Sequence, residues 1–201
     1  VIGIASLMVG SATIPFNEVL QILFADTSPS IHRTIVLEIR LPRMLLAILV
    51  GAGVATSGAA IQGLFRNPLA DPALIGVSGG AALFAAAYLV LGVQLGISSI
   101  GIAASAFVGG LLTTWLVLEI GRRGGTISSM LLGGIAINAV ALSGVGILSY
   151  LSTDLQLRSV AFWALGSLNG ADWPSVAVAS VIPIIIAVFY SRAQKLNAIT
   201  L

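Results

Sequence analysis

Four stretches of the chain contain no Asp, Glu, Lys or Arg: Met44–Phe65 (22 residues), Pro72–Leu118 (47), Gly124–Thr153 (30) and Trp173–Ser191 (19). A membrane-crossing helix needs about 20 apolar residues, so the longest stretch must hold two. Its break falls at Gly92–Ser99, where glycine and polar residues cluster. The pattern predicts five complete spans, at about 44–65, 73–91, 99–118, 128–150 and 174–191. They must be helical, because backbone groups in hydrocarbon have to be satisfied within the segment. Residues 1–10 are apolar but, at about 15 Å as a helix, reach only half-way across. They read as the remnant of a further span. The expected fold class is all-α: a polytopic transmembrane helix bundle forming one domain over 1–201, truncated at both ends.

Between the spans, Thr13 is placed to cap a short helix starting near Pro15, with Val19, Leu20, Leu23 and Phe24 on its apolar side. The 151–173 segment mixes Asp154 and Arg158 with Phe162, Trp163 and Trp173, and is expected to fold against the outer rim. Gly51, Ala55, Ala59 and Gly63 recur every fourth residue, a ridge on which another backbone can approach closely; Gly109-Gly110 and Gly133-Gly134 offer similar faces. Pro183 should kink the last span.

Composition removes other classes. Hydrophobic residues make up 58% and charged residues 8%, against about 25% charged in a soluble domain. Mean hydropathy is +1.09. A soluble enzyme, a disordered chain and a nucleic-acid binder are excluded. The net charge of +2 is no basic patch, and with no cysteine there is no disulfide framework or thiolate chemistry. The charges do orient the chain. Loops 66–72 and 119–127 and the tail 192–201 carry Arg66, Arg122, Arg123, Arg192 and Lys195 on short segments; the other side carries Arg33, Arg40, Arg43 and Arg158 on more than twice the length. The first side is expected to be cytoplasmic, and Tyr88, Trp115, Tyr150, Trp163, Trp173 and Tyr190 fall within or near predicted span ends.

Catalytic patterns are missing from the sequence. His32 is the single histidine, no carboxylate lies in a predicted span, and there is no GxGxxG, Walker A or G-x-S-x-G motif. A membrane enzyme acting on lipid is therefore the weaker class, and a transporter or passive channel, needing shaped helices more than reactive groups, the stronger.

The motifs narrow this. The chain reads Arg40-Leu-Pro-Arg43, Gly51-Ala-Gly-Val-Ala-Thr-Ser-Gly-Ala-Ala-Ile-Gln62, Arg66-Asn-Pro-Leu-Ala-Asp-Pro72 and Ile75-Gly-Val-Ser-Gly-Gly-Ala81. Later come Met130-Leu-Leu-Gly-Gly-Ile-Ala136, Phe162-Trp-Ala-Leu-Gly-Ser-Leu168 and Lys195-Leu-Asn-Ala-Ile-Thr-Leu201. Together, over essentially all of the chain, these resemble the permease subunits of binding-protein-dependent ABC importers for iron chelates and vitamin B12, the FecCD/BtuC-like family.

The resemblance implies a chain of about ten spans, of which this is the N-terminal part, working as a homodimer in the bacterial inner membrane. It implies a separate cytoplasmic ATP-binding subunit, a periplasmic substrate-binding protein and no cofactor or metal of the permease's own. The cargo is an iron chelate, with haem first, a ferric siderophore close behind and cobalamin the alternative. The family's main coupling helix follows the segment matching Leu196–Leu201, so these residues alone should not transport. Arg40 and Arg43 then dock the binding protein, whereas on sequence alone they equally snorkel to headgroups. Gln62, Asn67, Ser78 and Ser128 fall near the inner mouth or gate; Thr126, Ser128 and Ser129 equally start a helix. Arg158, beside Phe162 and Trp163, is placed to meet anionic cargo, or to pair with Asp154 at i and i+4.

Overall fold

The computed structural model describes residues 2–25, 29–92 and 100–199, and every regular element among them is helical. In chain order these are α1 (Ile2–Met8), α2 (Phe16–Phe24), α3 (Ile31–Phe65), α4 (Val77–Gly92), α5 (Ile100–Gly124), α6 (Ile127–Leu151), α7 (Asp154–Leu165), α8 (Trp173–Ala179) and α9 (Val181–Ile199). The chain divides into two compact units, one from 1–56 with 168–201 and one from 57–167.

In the first unit, Leu7, Ile14, Val19, Ile22 and Val36 form a buried core that joins α1 and α2 to the start of α3. The cap expected from Thr13 is not made: α2 starts after Pro15 with no side-chain cap. Its buried face is Val19 and Ile22, and Phe24, expected on that face, is 84% exposed. Helix α3 begins at Ile31, well before the expected 44, and its Ile35–Arg40 segment is a π-helix. Pro42 accounts for the widening. It has no N–H to give to the carbonyl of Glu38, and its ring crowds that carbonyl, so the ladder shifts register and Leu41 N–H bonds to Val36 O.

Helices α8 and α9, also in this unit, occupy the last predicted span, with the break at Ser180. Pro183 again explains it, since it leaves the Ala179 carbonyl without its helical donor. Asp172 caps α8 by accepting from Ser175 N–H at 2.9 Å. Its carboxyl is held below the ordinary carboxylate range by the Ser175 hydroxyl, then by that N–H.

In the second unit α4, α5 and α6 pack on one another. Glycine makes the approach possible. A Cβ on Gly109 would lie 2.3 Å from the Gly80 carbonyl oxygen, and one on Gly80 would lie 2.6 Å from that of Gly109. Likewise Gly133 sits under Ile120 and Gly79 under Asn138. The ridge expected on α3 behaves otherwise: a Cβ on Gly51 or Gly63 meets nothing within 4 Å, and Ala55 and Ala59 are exposed. The predicted 73–91 span is divided at Gly76, which has φ 75°, into a 3-10 turn (Pro72–Ile75) and α4. The 151–173 segment is largely helical: α7 opens with a Thr153–Gln156 capping box, and Val160 and Trp163 pack against Leu89, Val90 and Leu148.

Candidate functional site

The α3 π-helix sets two arginines apart. Arg40 is 9% exposed and turns into the first unit, where its guanidinium donates to Leu7 O at 2.7 Å and to Ala12 O. It thus satisfies a carbonyl in the last turn of α1, where cations are favoured. Gly10 leaves room, since a Cβ there would lie 2.6 Å from Arg40 Nη2. With the guanidinium committed to backbone oxygens, Arg40 is not a free docking charge. Arg43, three residues on, is exposed.

In the second unit the segment after α3 is a compact turn. Asn67 N–H bonds to Gln62 O at 3.1 Å and Arg66 N–H to Gly63 O at 3.3 Å, the paired closure of a Schellman motif. The left-handed position usually given to glycine is held by Arg66, φ 49°. Asn67 Oδ1 accepts from Leu69 N–H at 2.9 Å, and Asp71 Oδ1 from Ala73 N–H at 2.7 Å, capping the 3-10 turn. The Asn67 amide is therefore at least partly a turn-former. Phe65, Ala70 and Ile75 pack with Val117, Met130 and Leu131, so this turn and the α5–α6 connection share one end of the unit. That end collects Gln62, Asn67 and Ser128, with Ser78 on the first turn of α4; Gln62, Ser78 and Ser128 are exposed. Thr126 caps α6, accepting from Ser129 N–H at 3.1 Å.

Arg158 lies at the other end. Helix α7 packs on the Tyr88–Gly92 end of α4, and Gln156 Nε2 donates to Val90 O at 3.0 Å. With α4 about 24 Å long at 1.5 Å per residue, Arg158 does not share a site with Ser78. It is exposed and makes no ion pair with Asp154, whereas Glu119 pairs with both Arg122 and Arg123. The left-handed backbone at Arg66 is a feature of the turn that the hydrophobic pattern does not single out.

Among the described residues four helical runs, Ile31–Phe65, Gly101–Gly124, Ile127–Leu151 and Trp173–Arg192, are long and apolar enough to cross a bilayer. This is the architecture of a multi-pass membrane protein. The whole sequence, residues 1–201, matches the FecCD transport family, and the chain belongs to it. It is 43% identical over 170 residues to the hemin transport system permease protein HmuU of Yersinia pestis, covering 82% of this chain and 51% of that one. It is 39% identical over 166 residues to the vitamin B12 import system permease protein BtuC of Salmonella paratyphi A, covering 82% and 50%. A solved metal-chelate type ABC transporter in an inward-facing conformation superposes with a TM-score of 0.73 at 29% identity, over 87% of this chain and 52% of that one. The chain thus spans about half the length of the relatives it matches.

Proposed function

We propose that this chain is part of the membrane-spanning permease of an ABC importer that carries an iron chelate, haem foremost, across the bacterial inner membrane. The match to the FecCD transport family over all 201 residues carries the reading. The hemin permease relative, 43% identical, favours haem; the vitamin B12 permease relative, 39% identical, keeps cobalamin as the second reading. The permease pairs with a second copy, with cytoplasmic ATP-binding subunits that hydrolyse the nucleotide, and with a periplasmic substrate-binding protein.

Within this reading Arg43 meets an acidic patch on the binding protein, and Arg40 holds the helix that presents it. Gln62, Ser78 and Ser128, with the turn shaped by Asn67, border the cytoplasmic mouth; Arg158 attracts anionic cargo at the opposite end. Exposed charges of this kind steer association more than they tighten it. The test is uptake by the full-length permease, reconstituted with its ATP-binding subunits and binding protein, of haem, a ferric siderophore and cobalamin in parallel. Haem should enter fastest, and Arg43→Glu should slow entry at sub-saturating binding protein while leaving the saturated rate nearly unchanged. Uptake of cobalamin but not haem would overturn the cargo assignment.

A further inference from the structure

Helices α4, α5 and α6 leave between them an open groove of about 530 Å³, walled by Phe84, Leu112, Trp115, Leu116, Ile137 and Val140. Trp115 is 61% exposed and Val140 72%. Thr113 is the one hydroxyl in the wall, and it is already spent, donating to Gly109 O at 2.9 Å and Gly110 O at 3.1 Å. The groove therefore suits an occupant with nothing to hydrogen-bond. Leu112, Trp115 and Leu116 lie seven residues before Glu119, Arg122 and Arg123, a spacing that returns to nearly the same helix face. At the end of that face Glu119 Oε2 takes Arg122 Nη2 at 2.8 Å and Glu119 Oε1 takes Arg123 Nε at 2.7 Å. Both arginine side chains are about four-fifths exposed, so most of their N–H groups face outward, and two guanidinium groups against one carboxylate leave a net positive charge.

We propose that this groove holds an acyl chain of an anionic phospholipid whose phosphate is gripped by Arg122 and Arg123. From Leu112 to Arg123 the helix rises about 16 Å, close to the depth of one hydrocarbon leaflet. An apolar slot whose α5 wall ends at Leu116, with a cationic fork about 10 Å further along the same helix face, has the two-part complementarity of a phospholipid. Glu119 is a positioning residue in this site: it aims both guanidinium groups along the face of α5 rather than letting them splay. A protein helix filling the groove would have no use for the fork, whereas a phosphate accepts from both arginines at once.

The test is tryptophan quenching in the full-length permease assembled with its ATP-binding subunits, with Trp115 retained as its single tryptophan and the others replaced by Phe. The protein is placed in bilayers containing mid-chain dibrominated phosphatidylglycerol or, at equal mole fraction, dibrominated phosphatidylcholine. Preferential quenching by the anionic lipid, corresponding to an affinity ratio of about fivefold for one net charge, is expected. Arg122→Gln with Arg123→Gln should abolish the preference, and Lys at both positions should keep most of it. Equal quenching by the two lipids would overturn the proposal in favour of ordinary boundary lipid. Absence of quenching by either would overturn it in favour of protein filling the groove.

Discussion

Arg40 ties the α1 end and the segment after it to α3 in the first unit. Its guanidinium serves the Leu7 and Ala12 carbonyls, and the π-turn forced by Pro42 is what rotates it inward. Removing it takes the donor from two backbone acceptors, one buried at Leu7 and one part-buried at Ala12. Arg40→Ala should therefore cost about 2 kcal/mol, seen as a fall of several degrees in the thermal midpoint of the full-length permease. Arg43→Ala, at an exposed position, should leave the midpoint within a degree or so. Equal midpoints for Arg40→Ala and wild type would remove Arg40 from the frame. The sequence placed both arginines at the outer end of a span but could not separate their fates, because a one-residue register shift in the helix ladder is invisible to a hydrophobic pattern. Arg66 was hidden for a related reason. Its left-handed backbone is set by the Schellman closure rather than by its own preference.

Among the elements, the α4–α5 contact makes the sharpest demand on sequence. Gly80 and Gly109 face each other with backbone oxygen where side chains would otherwise be. Gly109→Val should separate the helices and lower stability by about 1–3 kcal/mol, read as a reduced thermal midpoint. Gly110→Ala, whose new Cβ would meet Val77 at an ordinary 3.4 Å, should be neutral or slightly stabilising. Reversal of that order would mean the contact is not where the packing places it. The small-residue signal named the pairs Gly109-Gly110 and Gly133-Gly134 as close-approach faces; Gly109 and Gly133 are in tight contact, while a Cβ on Gly110 would meet its neighbour only at an ordinary distance. The same signal on Gly51 and Gly63 met open space, because spacing reveals where a backbone can come near but not whether one does. Helices near 99–118 and 128–150 were legible because an unbroken apolar run leaves the chain little choice. The helical starts of α3 and α7 were not, since each lies in a stretch where charges interrupt the apolar pattern and the helix is secured by caps at Ser30 and Thr153.

At the scale of the whole molecule, the scarcity of charge excluded everything but a membrane bundle, and that conclusion needed no structure. The family, too, was legible, because its motifs sit at the turns and helix ends that the fold requires: Arg66–Pro72 is a capped, hydrogen-bonded turn, and Gly76 is a left-handed hinge between a 3-10 turn and a helix. The cargo was not legible in the same way. The exposed groups nominated for the path, Gln62, Ser78 and Ser128, are small or uncharged, and such groups do not distinguish one chelate from another. Helix α7, which carries Arg158, packs at the Tyr88–Gly92 end of α4, whereas Ser78 sits on the first turn of that helix, at the end shared with Gln62 and Ser128.

We propose above that this chain belongs to a conduit driven by nucleotide hydrolysis elsewhere in the complex. It is tested most directly by reconstituting the full-length permease with its ATP-binding subunits and binding protein in liposomes and measuring haem accumulation with ATP, with a non-hydrolysable analogue and without nucleotide. Accumulation against a gradient with ATP alone is the predicted result; equilibration at the same rate under all three conditions would identify a passive channel and contradict it.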